Sequence, residues 1–167
     1  PSFYGKTLKE RPTIMVYLPA SNAREVVFSL KDEAKNLKYQ AILPVSGTAE
    51  VVAIQLPEDA PALEVGQSYQ WYVALKLDGQ LAPSTPFVDG WIERVAPDAE
   101  LAQIANKPAL EQAAALAAGG IWYDCSATLA SLKAAEAHNP ELAQHWQELL
   151  ASVQLSHVSA VPISAGN

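Results

Sequence analysis

Phe87-Val88-Asp89-Gly90-Trp91-Ile92-Glu93-Arg94-Val95-Ala96-Pro97-Asp98 decides how this chain is organised, because the hydrophobic period changes across Pro97. Upstream, apolar residues recur at every second position between turn clusters. Downstream, they recur at helical spacing in an alanine-rich run. A β-rich domain over residues 12–97 is therefore expected to precede a helical domain over residues 98–156 packed on it. An N-terminal extension (1–11) and an extended tail (157–167) flank the two.

Working back from Pro97, the clearest strand is 67–77. Tyr69, Trp71, Val73, Leu75 and Leu77 share one side, and Ser68, Gln70, Tyr72 and Lys76 the other, as a half-buried strand requires. The same spacing by two recurs in Ile14/Val16/Leu18, Val26/Phe28/Leu30, Tyr39/Ala41/Leu43 and Val52/Ile54/Leu56, with a last strand over 87–95. Asp78-Gly79 is a type I′ hairpin signal, since both positions tolerate positive φ. Short strands at near-regular spacing without intervening helices predict an antiparallel immunoglobulin-like β sandwich. Connections this short disfavour parallel pairing.

Working forward, Asp98 caps a short helix to about Asn106. Pro108 suits a first helical turn, and Gly119 a C-terminal stop. A third helix runs from about Gly120 to Ala137, and Asn139-Pro140 caps and opens a fourth with Leu142, Trp146, Leu149, Leu150 and Val153 as its buried stripe. The last two make a tetratricopeptide-like αα-hairpin in a small helical bundle. No second copy follows at a fixed period, so a solenoid is not expected. The fold class is α+β.

With 167 residues, half of them hydrophobic, the chain buries roughly 70% of its unfolded surface and needs no disulfide or metal to hold a core. Its net charge of −7 is uneven: residues 1–97 carry 9 Lys/Arg against 11 Asp/Glu, and residues 98–167 carry 2 against 7. An acidic half without a basic stripe argues against nucleic acid and anionic lipid as partners. No apolar run approaches the roughly 20 residues of a membrane span. The single cysteine, Cys125, lies in a helical pattern and reads as a small buried hydrophobe.

Chemistry is sparse. His138, His145 and His157 lack the compact pairing of zinc ligands. The acidic pairs Asp32-Glu33 and Glu58-Asp59 sit in turns without the alternating oxygens of a calcium loop. No nucleophile has a base at suitable spacing, so no catalytic residue, cofactor or metal is expected. Asp124, beside Trp122 and Tyr123, is expected to hydrogen-bond across the junction of helix and sheet. Trp71 lies on the hydrophobic face of its strand, whereas Tyr72 lies opposite and is the candidate ligand-face residue.

Several segments carry a resemblance. These are Arg11-Pro12-Thr13, Phe28-Ser29-Leu30-Lys31-Asp32-Glu33, Leu63-Glu64-Val65-Gly66 with Ser68-Tyr69 and Trp71, Pro86-Phe87-Val88-Asp89-Gly90-Trp91-Ile92, Ile121-Trp122-Tyr123-Asp124, and Trp146 with Leu149-Leu150. In order and spacing they are similar to the family called domain of unknown function 928, over roughly residues 10–163. The resemblance implies a cyanobacterial source and, for many members, an upstream secretion signal. It implies no activity.

Residues 1–10 stand outside that pattern. Termini fray unless tied down, and Phe3, Tyr4 and Leu8 are apolar anchors that something must hold. An extended segment can complete an open sheet edge, in cis on its own chain or in trans on a neighbour. The expectation is a non-catalytic exported protein, extracellular or at the cell surface with the periplasm as second choice. It self-associates as a homo-oligomer or fibre by strand addition through this extension. The alternative is a module that binds another surface protein or a glycan through the sheet face or the acidic helical half.

Overall fold

The computed structural model describes residues 3–165. Seven strands come first: β1 (Phe3–Thr7), β2 (Thr13–Leu18), β3 (Glu25–Asp32), β4 (Leu37–Pro44), β5 (Glu50–Gln55), β6 (Ser68–Lys76) and β7 (Phe87–Arg94). A 3-10 turn at Leu101–Asn106 leads into α1 (Ala109–Ala118), α2 (Trp122–Ala135) and α3 (Pro140–Ser152). A second 3-10 turn, Ser156–Val158, precedes β8 (Ile163–Ala165). Among the described residues the molecule is thus α+β, with eight strands in two sheets and three α-helices.

The larger sheet has the order β1-β7-β6-β3-β4 and the smaller β2-β5-β8. Alternation does what the spacing predicts. Val26, Phe28, Leu30, Trp71, Val73 and Ile92 from the larger sheet and Ile14, Val16, Val52 and Ile54 from the smaller share one buried core. The hairpin joining β6 to β7 turns at Asp78 (φ 53°) and Gly79 (φ 73°), as a type I′ turn demands.

Two expectations are corrected. Parallel pairing does occur: β1 runs parallel to β7, and β8 parallel to β5. The objection to parallel strands was the shortness of connections between neighbours in sequence. These partners are instead the first and last strands, which return from far along the chain. The segment capped by Asp98 is a 3-10 turn rather than an α-helix. The Asp98 carboxylate accepts from Leu101 N–H at 2.8 Å, but Pro108 follows too soon for longer winding.

β2 and α2 join the two halves. Along β2, Ile14, Val16 and Leu18 enter the sheet core, while Met15 and Tyr17 pack against the helical core of Leu116, Cys125, Leu129, Trp146, Leu150 and Val158. α2 likewise sends Tyr123 into the sheet core and Cys125, Leu129 and Ala130 toward the other helices. A helix apolar on two sides is one buried between layers. It packs on both β1 and β2, which fixes the site described next. No helix is long and apolar enough to cross a membrane among the described residues.

Candidate functional site

The N-terminal extension is tied down in cis. β1 adds to the open edge of β7 with Phe3 opposite Gly90, Gly5 opposite Ile92 and Thr7 opposite Arg94. Alternation turns Phe3, Gly5 and Thr7 inward and Tyr4 and Lys6 outward. Thr7 is fully buried.

The first turn of α2 holds this strand. Asp124, itself buried, accepts from Thr7 Oγ1–H at 2.5 Å and from the Leu8 backbone N–H at 2.9 Å. It is the junction bond expected of Asp124, with Thr7 as the partner the sequence left unnamed. Burial pushes the Asp124 carboxyl above its ordinary range, and the bonds from Thr7 and Leu8 pull against that rise. Its place in the first helical turn also sets it against the positive end of the helix.

Tyr123 completes the latch. Its hydroxyl receives the Trp71 indole N–H at 2.8 Å and donates to the Trp91 carbonyl at 2.9 Å, which pins α2 to β6 and β7. Desolvation raises the phenol far above its usual range, so it serves as a neutral bridge. Phe3 packs against Trp122 with ring centroids 4.5 Å apart and edge-on to Tyr123 at 5.7 Å.

Two glycines make this closeness possible. A Cβ on Gly5 would lie 2.9 Å from Tyr123 Cε2 and 2.9 Å from Phe3 Cε1, and one on Gly90 would lie 2.6 Å from Trp71 Cζ2. Reading the sequence missed Gly5, Thr7, Gly90 and Tyr123 as parts of one site. The available signal was two glycines at strand positions, which mark close approach.

The three proposed assembly residues therefore divide. Phe3 packs on α2, and Leu8 packs against the helical core. Tyr4 points outward, 53% exposed, and donates its hydroxyl to Glu93 at 2.5 Å, a bond that raises its pKa.

Tyr72 lies on the outward face of the larger sheet, as its strand position requires, with Lys31 5.3 Å above its ring. The neighbouring Phe87 ring is inclined by 51°, so the two do not form a flat platform. Further along, Lys35 sits 4.9 Å from the Trp91 ring and bonds Gln70, which donates to Asp89 at 2.8 Å.

Cys125 is buried, and its thiol is pushed up to about 11 by desolvation and then by the charge of Asp124, which makes it a poor nucleophile. Among the described residues no group of three or more His, Cys, Asp or Glu side chains is placed to hold a metal ion.

No curated protein matches this chain. The family model described as Domain of Unknown Function (DUF928) matches residues 1–163, a span that takes in residues 1–10 and hence all of β1. With its strand latch inside the matched region, the chain belongs to the DUF928 family.

Proposed function

We propose that this chain is a non-catalytic structural protein of the cell surface or extracellular space, and that it self-associates by passing β1 from one copy to the next. The observation that carries this reading is the construction of the β1 site. β1 pairs with β7 and is continued by the Val95 N–H bond to the Thr7 carbonyl, and α2 holds it through Asp124, which takes Thr7 and Leu8, and through the packing of Phe3 on Trp122 and Tyr123. A neighbour's β1 would meet the same partners unchanged, which is the condition for strand exchange. Beyond Lys9 the chain is anchored again, Glu10 accepting from Leu63 and Pro12 from Leu56, so the hinge falls at Leu8-Lys9. Where the exchange runs head to tail and does not close on itself, the product is a fibre. Export rests on the family resemblance alone.

The strand order supports the finer reading of an immunoglobulin-like sandwich. β7-β6-β3-β4 faces β2-β5 across a shared core filled by inward-facing residues of both sheets, as in that fold.

The test uses the whole 167-residue chain. Tyr4→Cys in one copy and Trp91→Cys in another place thiols opposite each other only if β1 crosses between copies. Mixed disulfide dimers are expected, together with ladders from a doubly substituted chain and polymers by light scattering. Tyr4→Cys mixed with Phe87→Cys, out of register, controls for collision. Only internal disulfides and monomers would end the proposal.

A second reading has one observation in its favour. Ile42, Val27, Ala74 and Phe87 line up across four strands on the outward face, with Ile42 56% and Phe87 60% exposed. This apolar row suits a protein partner better than a sugar, which would need flat stacking surfaces.

A further inference from the structure

The helical layer carries a groove that the β1 latch does not use. α1 and α3 each pack on α2 and leave between them a cleft of about 660 Å³. Its floor is Cys125 and Leu129, and its walls are Ala113, Ala114 and Ala117 on one side and Leu149 on the other. A volume of this size falls within the range of clefts that take a ligand.

The rim is acidic. Glu111 stands on the α1 side and Glu141 and Glu148 on the α3 side, and no Lys or Arg among the described residues lines the groove. His145 lies between the two α3 carboxylates, at 4.0 Å from Glu141 and 3.7 Å from Glu148. Two carboxylates about two turns apart on α3 therefore present negative charge beside an apolar trough.

We propose that this groove is a docking site for a basic amphipathic helix of a partner protein. Its apolar stripe lies on Cys125, Leu129 and Leu149, and its Lys or Arg residues reach Glu111, Glu141 and Glu148. Three features choose this occupant. Alanine walls let a helix backbone approach closely, where larger side chains would hold it away. Two helices flanking a third offer the apolar trough of helix-in-groove recognition, so an incoming helix completes a bundle. The rim charge selects a cationic helix and repels an acidic one. A second copy does not supply it: α1 and α3 carry no Lys or Arg, and α2 carries only Lys133. The site is independent of strand exchange, so either proposal can fail without the other.

The probe is a fluorescein-labelled amphipathic peptide with Leu along one face and Lys elsewhere, followed by anisotropy with the intact chain. A peptide with Glu in place of Lys is the comparison. The Lys peptide is expected to bind and the Glu peptide not to. Ala114→Trp, at an exposed position on the groove wall, should weaken binding about tenfold by filling the cleft. Ala117→Trp, on the same wall and also exposed, replaces it if the first variant melts early by circular dichroism.

Glu141→Lys with Glu148→Lys should weaken binding by a similar factor. Glu100→Lys with Glu136→Lys, in the same acidic half but outside the groove, should not. Absence of Lys-peptide binding overturns the proposal. So does equal loss from both pairs of reversals with no effect of Ala114→Trp, because that pattern is diffuse charge attraction.

Discussion

The first and last strands of this molecule solve one problem at different depths. β1 and β8 are both edge strands and both run parallel to their partners, and each is met by a buried carboxylate: Asp124 takes Thr7 and Leu8, and Glu50 takes Ser164 Oγ–H at 2.7 Å. β1 pairs over five residues with Thr7 fully buried, whereas β8 pairs over three, none of them buried. The carboxylates also differ in what they serve. Glu50 organises its own loop through Ser46, while Asp124 spends its bonds on the extension. β1 is thus built into the protein, and β8 is laid upon it.

The largest effect expected from that difference is the loss of Asp124. Asp124→Ala leaves the Thr7 hydroxyl and the Leu8 N–H buried without acceptors, which costs about 2–4 kcal/mol. A fall in melting temperature with faster hydrogen exchange confined at first to residues 3–8 would locate the damage. An unchanged melting temperature would mean that the bonds contribute nothing net and that β1 is held by its ladder with β7 and by Phe3.

Gly5→Ala comes next. Its Cβ would press Tyr123 and Phe3 at 2.9 Å, and overpacking of this kind costs roughly 1–3 kcal/mol. Because Tyr123 also bridges Trp71 and Trp91, indole fluorescence should shift along with stability. Ser164→Ala, the matching cut at β8, removes one hydrogen bond from a half-exposed strand and should cost no more than about 1 kcal/mol. If it equalled Asp124→Ala, the ranking of the two termini would be wrong.

The same contrast explains what could be read in advance. The strands β2 to β7 and the helices α1 to α3 follow from periods of two and 3.6 and from caps such as Asn139, whose side chain accepts from Glu141 N–H at 3.0 Å. Tyr72 faces outward and Trp71 inward because alternation leaves no other choice. β1 and β8 were harder to read, since a parallel edge pair is decided by where distant segments meet. Phe3-Tyr4-Gly5-Lys6-Thr7 shows no strong alternation of its own. Asp124 was legible as a junction residue from its aromatic neighbours, but Thr7 was not, because nothing local marks a threonine that will be buried from more than a hundred residues away. The groove between α1 and α3 was invisible for a related reason: small alanines predict close packing, not which side of a helix stays uncovered.

The smallest predicted effect separates the two latches by sign. Burial raises the Asp124 pKa, so as pH falls the folded chain takes up its proton before the unfolded chain does. This group alone adds stability on acidification, until pH reaches its ordinary value of 3.8. Burial would also raise Glu50, but bonds from Ser164, Ser46 N–H and Ser46 Oγ outweigh it and hold the carboxyl low. Its contribution is complete above the ordinary 4.5 and is lost as pH falls through the depressed folded value. Asp124→Asn should therefore lose more stability than the parent chain between neutral pH and about pH 4, because it lacks the gain that the raised carboxyl contributes there. Glu50→Gln should lose less than the parent only below about pH 4.5. Melting temperatures across the pH series decide the matter. Two variants departing from the parent in the same direction would show that the carboxylates, though alike in burial, do not hold their strands by opposed electrostatics.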